Sequence, residues 1–117
     1  MILIKLLIAI SLIFCININV NAAEVLQVRS SRVLQIGDQN RNYTVEIACI
    51  DVDSKMEYDA RTWLRSKLPR KTRVNLRPLS AENGVLVARV LPIGSTDDIS
   101  KEMIAKGLAI DKCKDNN

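Results

Sequence analysis

The opening run of the chain limits what the rest can fold into. Lys5 is followed by an apolar stretch from Leu6 to Ile16, interrupted by Ser11, and Val20-Asn21-Ala22 ends in small residues. A positive charge, an apolar core and a small-residue cleavage pattern together describe a secretory leader, residues 1–22. Cleavage is expected after Ala22 or after Ala23. An uncleaved anchor needs roughly 17 apolar residues to span a bilayer, and Lys5, Asn17 and Asn19 bracket a shorter run. Bulky Phe14 before Cys15 argues against a lipid-modified cysteine. Removing 22 of 117 residues leaves 95, enough for one small domain over residues 23–117 and no more. The expected destination is a periplasm, the medium or an organellar lumen.

A domain of that size has a thin core and gains from a covalent staple. Two cysteines remain after the leader, Cys49 and Cys113. An even count in an oxidising compartment favours a bridge between them over two buried thiols. Closing a loop of about 64 residues stabilises by about 4 kcal/mol in the chain-entropy account.

The chain has no histidine, which excludes imidazole general bases, Ser-His-Asp and Cys-His nucleophiles, and His-ligated zinc. Aromatic residues make up 3% of it, leaving little on which to stack bases.

Val25–Arg29 and Arg32–Ile36 are short alternating runs around Ser30-Ser31, and Gly37 to Asn42 has turn composition. Tyr43 to Ile50 alternates strongly, placing Tyr43, Val45, Ile47 and Cys49 on one face. Ser54 and Glu57 have the spacing of a capping box, with Ser54 as the cap. Behind them Met56, Ala60, Trp63, Leu64 and Leu68 recur at helical spacing up to Pro69. Thr72–Arg77 alternates and is expected to end at Pro78. Asn83-Gly84 predicts a hairpin turn into Val85–Leu91. Ser95 or Thr96 is expected to cap a second helix bearing Ile99, Met103, Ile104 and Leu108, loosened at Gly107. A frayed tail is expected from about Cys113. Five short strands, one helix after the third and one after the fifth, predict a β-barrel with helices (α+β): a five-stranded, OB-fold-like Greek-key barrel with two packed helices.

The net charge is concentrated. Arg61, Arg65, Lys67, Arg70, Lys71, Arg73 and Arg77 place seven basic residues within 17, with no acid among them. Elsewhere in residues 23–117 there are 9 basic and 13 acidic residues. Such a stretch is the footprint of a contact with phosphates, anionic headgroups or an acidic protein face, or else a solvated helix face and a charge-protected edge strand. Trp63 lies within it on the apolar helical stripe, which assigns it to core packing.

The order of these elements resembles the staphylococcal-nuclease-like (thermonuclease) domain over Val25 to Cys113. The resemblance rests on Val45–Asp51 with the helix after it, Asn83-Gly84-Val85-Leu86-Val87-Ala88, and Gly107-Leu108-Ala109. It implies a phosphodiester hydrolase in which two aspartates hold calcium, a glutamate helps activate water and two arginines grip the phosphate. Position by position, most of this set is replaced. Ser31 stands at the first metal aspartate, Glu46 at the first arginine, Ser54 at the glutamate and Val85 at the second arginine. Asp51 is the retained position. Asp51 and Asp53 are the metal candidates, although a calcium ion wants several oxygen ligands. Glu46 reverses the charge where a phosphoryl group would sit.

The expectation is therefore an exported, catalytically inactive module of this fold, acting as an interaction or accessory domain with no cofactor. Its partner is expected to be a protein or an anionic surface. The alternative is a divergent secreted calcium-dependent nuclease, or a nonspecific nucleic-acid-binding protein, using the Arg61–Arg77 stretch.

Overall fold

The structure is a computed structural model that describes residues 23–113. The expected leader and residues 114–117 lie outside the described residues.

Among the described residues seven strands form: β1 (Ala23–Val28), β2 (Val33–Asp38), β3 (Arg41–Ile47), β4 (Ile50–Asp51), β5 (Arg73–Glu82), β6 (Val85–Pro92) and β7 (Ile110–Asp111). Helices α1 (Glu57–Lys67) and α2 (Ile99–Ala105) follow β4 and β6, and a 3-10 turn (Ser54–Met56) leads into α1. Five strands close a barrel in the order β1-β2-β3-β6-β5, and β4 pairs with β7 in a separate two-stranded sheet. The β3–β6 pair is parallel, with Glu46 in register with Val87. Closure is antiparallel at Ala23↔Val74 and Glu24↔Arg73. This is the expected OB-fold-like barrel with two helices.

Alternation in the sequence places one face of each strand inside. Val25, Val28, Leu34, Ile36, Val45, Ile47, Val74, Ala88 and Val90 are all buried. Ala60, Leu64 and Leu68 of the α1 segment, with Ile99 and Met103 of α2, cover the barrel and join the same core. Each of the Val, Leu, Ile and Met side chains among these contributes about 1.5–3 kcal/mol of gross burial energy. The Asn83-Gly84 turn forms as expected, with φ of 53° and 78°, the doubly left-handed geometry that an Asn-Gly hairpin supplies.

Several local expectations are corrected. The third strand does not run unbroken to Ile50: Cys49 takes φ 69°, and Ile50–Asp51 turns away to pair with Ile110–Asp111. Pro78 does not end its strand, because β5 continues to Glu82 through a register shift between Pro78 and Ser80. Ser54 is not the cap before α1. Asp53 instead caps the 3-10 turn that leads into α1, its carboxylate accepting from the Lys55 N–H. Helix α1 itself starts after Met56 without a side-chain cap, and Glu57 is engaged elsewhere. At α2 the cap is Asp98, not Ser95 or Thr96, and it accepts from the Lys101 N–H. The helix stops before Leu108, whose N–H donates to the Met103 carbonyl. Cys113 is bonded to Cys49, and the rest of the expected tail lies outside the described residues.

Candidate functional site

The β1–β2 turn, the outer face of β3 and the β4 segment meet on one side of the barrel. Val33 of β2 lies opposite Glu46 of β3, and the Ile47 N–H donates to the Arg32 carbonyl at 2.7 Å. This register brings Ser31, Glu46 and Asp51 into one neighbourhood. Ser54 lies three residues beyond Asp51 in the exposed 3-10 turn, and its hydroxyl donates to Asp53 at 3.4 Å. Val85 is less close: it pairs with Thr44, and the β6 residue level with Glu46 is Val87. Two strand residues along the ladder separate them, about 7 Å.

The polar groups of this site are already paired with one another. Arg32 Nη1 lies 3.4 Å from Asp51 Oδ1 and 3.9 Å from Glu46 Oε1. Lys112 Nζ lies 3.5 Å from Asp51 Oδ2. The Val52 N–H donates to Asp51 Oδ1 at 3.0 Å. Asp51 thus has a cation at each oxygen. These side chains are partly solvated, so each pair stabilises by no more than about 1 kcal/mol. Their importance is chemical, because the carboxylate charge is compensated inside the chain.

Ser31 is 1% exposed. Its N–H and its hydroxyl both donate to the Glu57 carboxylate, at 3.0 and 2.5 Å, and Arg61 lies 3.8 Å from the same group. A serine here holds α1 to the β1–β2 turn.

The donor set does not fit calcium, which takes six to eight oxygen ligands. Asp51 faces Arg32 and Lys112. Asp53 caps the 3-10 turn through Lys55. Among the described residues no three Asp, Glu, His or Cys side chains are grouped to hold a metal.

The basic stretch divides by position. Arg61 pairs with Glu57 and lies 6.0 Å over the Tyr58 ring, and Lys67 reaches Glu102 of α2 at 3.2 Å. Arg65 donates to the Val28 carbonyl at 3.5 Å and Arg70 to the Leu26 carbonyl at 3.1 Å. Both bonds cover β1 beyond Glu24, where its ladder to β5 ends. Leu26 is the residue skipped in the β1–β2 register. Lys71, Arg73 and Arg77 are exposed, with no carboxylate among the described residues within ion-pair distance. Trp63 packs against the core, as its place in the helical period implies.

Sequence reasoning missed Arg32 and Lys112 as the partners of Asp51, and Arg89 beside the bridge. A signal for Lys112 existed: it precedes Cys113, and a bridge to Cys49 brings that neighbourhood to Asp51. Arg32 had none, being 19 residues away in the chain.

Fold and site together define a small disulfide-bridged, OB-fold-like barrel with self-compensated charges on one rim and a basic side. The sequence matches no protein-family model and no curated protein. Among the described residues no helix is long and apolar enough to cross a membrane. The Cys49–Cys113 bridge is compatible with an oxidising, exported compartment.

Proposed function

We propose that this chain is an exported, catalytically inactive module of the staphylococcal-nuclease-like fold that serves as an interaction or accessory domain. The observation that carries this reading is Asp51, held between Arg32 and Lys112. Its charge is compensated by side chains of the same molecule. The other four compared positions hold Ser31, Glu46, Ser54 and Val85, none of which clamps a phosphoryl group. A scaffold of this kind retains its fold after its chemistry is replaced. The test is hydrolysis of DNA and RNA by purified protein with calcium. No cleavage above background is expected; metal-dependent cleavage abolished by Asp51→Ala overturns the reading.

A second reading is favoured by Lys71, Arg73 and Arg77, which are exposed without a carboxylate partner among the described residues. In it the protein is a nonspecific nucleic-acid binder. Binding would then fall steeply with salt and be indifferent to sequence. Gel shifts at two salt concentrations, with the triple substitution Lys71→Ser, Arg73→Ser and Arg77→Ser, separate the two readings.

A further inference from the structure

We infer that the Cys49–Cys113 bridge is a directional thiol–disulfide exchange site, at which a dithiol attacks the Cys113 sulfur and Cys49 departs as a thiolate held by Arg89. The bridge lines a cavity of about 190 Å³ together with Arg89, Lys101 and Asp111. Both cysteines are partly exposed. An incoming sulfur can therefore meet the bond without opening the barrel core.

The two sulfurs differ in their surroundings, because a fixed cation lies beside one of them. Arg89 Nη2 lies 3.3 Å from Cys49 Sγ. The guanidinium is fixed there by Asp98, 2.9 Å from its other terminal nitrogen. On the same wall the Asp111 carboxylate accepts the backbone N–H of Cys113 at 2.9 Å. A cation beside a sulfur stabilises its thiolate and an anion opposes it. The sulfur with the better-stabilised thiolate is the better leaving group. Cys49 therefore leaves and Cys113 is attacked. Asp98 withdraws part of the Arg89 charge, and Asp111 repels an incoming thiolate. Lys101, on the same cavity wall, offsets both effects.

The first step forms a sulfur–sulfur bond between the dithiol and Cys113 and breaks the bond between Cys113 and Cys49. The electron pair of the broken bond stays on Cys49. The second thiol of the reagent then displaces Cys113, leaving the reagent as its disulfide. Two electrons pass from the dithiol to the bridge, and its two thiol protons are taken by the cysteines or by solvent. Opening also loosens β7, which otherwise holds by a two-residue ladder to β4 and the bond from the Lys112 N–H to the Cys49 carbonyl. Two-stranded ladders of this size are marginal in water. Lys112 lies on this segment, so exchange releases its contact with Asp51.

The test treats folded protein with a mass-tagged monothiol, quenches in acid, alkylates free thiols and maps both cysteines by mass spectrometry. The tag is expected on Cys113 in at least about four-fifths of the adduct, with Cys49 alkylated. A majority on Cys49, or an even split, overturns the assignment. With a dithiol, the opening rate is expected to rise in proportion to reagent. A rate independent of reagent concentration, reporting global unfolding, overturns it too. Arg89→Leu is expected to slow opening about fivefold and to erase the preference, and Arg89→Lys to restore the preference. Because Arg89→Leu also breaks the Asp98 pair, Asp98→Asn serves as the control. It loses the same pair yet is expected to keep the tag on Cys113; loss of the preference in Asp98→Asn would count against the role of Arg89.

Discussion

Ser31 and Glu57 are joined across 26 residues of chain by two hydrogen bonds to one carboxylate, from the serine N–H and from its hydroxyl. Ser31 is nearly inaccessible to water. The pair fixes the first turn of α1 against the β1–β2 turn, so the helix cannot shift on the barrel without stranding two buried donors. Ser31 is thus a structural joint between the barrel and α1.

Glu57→Ala is expected to destabilise the protein by about 1–3 kcal/mol, the cost of leaving buried donors without an acceptor. Glu57→Gln keeps one acceptor oxygen and is expected to lose less. Urea denaturation measures both. A midpoint for Glu57→Ala indistinguishable from the parent would contradict the joint.

The bridge spans 64 residues, and removing it by Cys49→Ala with Cys113→Ala is expected to cost about 4 kcal/mol. Intact mass under non-reducing conditions is expected to be two protons below that of the reduced chain. Two alkylatable thiols in native material would refute the bridge.

Calcium at millimolar concentration is expected to leave the melting temperature within about 1 °C, because a ligand stabilises only where the folded state binds it. Asp51→Ala is expected to change stability by less than about 1 kcal/mol, its ion pairs being partly solvated. A calcium-dependent rise that disappears in Asp51→Ala would show a metal site after all.

Two of the hairpin turns differ in quality. Asn83-Gly84 suits its left-handed angles, whereas Gln39 holds φ 58° with a full side chain. Gln39→Gly is expected to stabilise by about 0.5–1 kcal/mol through release of that strain. A lowered denaturation midpoint would contradict this.

Burial raises the pKa of the Tyr43 hydroxyl above the ordinary tyrosine value, Asp38 adds to the rise and Arg41 opposes it. The fold therefore favours the neutral phenol. Below the unfolded-state value, near 10, both states hold the proton and stability is unaffected. Above it the unfolded chain ionises first, so stability falls with pH until the folded hydroxyl also ionises. Tyr43→Phe is expected to flatten this component of the alkaline slope in urea midpoints. An unchanged slope would show that Tyr43 does not carry it.

Much of the barrel was legible because burial on a strand or helix leaves a periodic trace. Val45 and Ile47 alternate into the core, and Ala60, Leu64 and Leu68 recur at helical spacing. Pro78 misled because proline is barred from central strands for want of an N–H. Among the described residues the β1–β5 ladder reaches only as far as Val74, so at Pro78 no second strand among them needs that donor. The capping box misled for a related reason. A carboxylate three residues after a serine satisfies local N–H groups unless a distant buried donor competes, and Ser31 does.

The sequence by itself determined the strand and helix periods, the Asn83-Gly84 turn, the two cysteines available to pair and the stretch that holds the basic excess. Tertiary structure alone decided which charges meet. It placed Arg32 and Lys112 on Asp51, Arg65 and Arg70 on the β1 carbonyls, and Arg89 on Cys49. Periodicity is written in neighbouring residues, since each segment must bury one face. Ion pairs and side-chain hydrogen bonds depend on distances of a few ångströms between segments far apart in the chain, and those distances exist only once the barrel has closed.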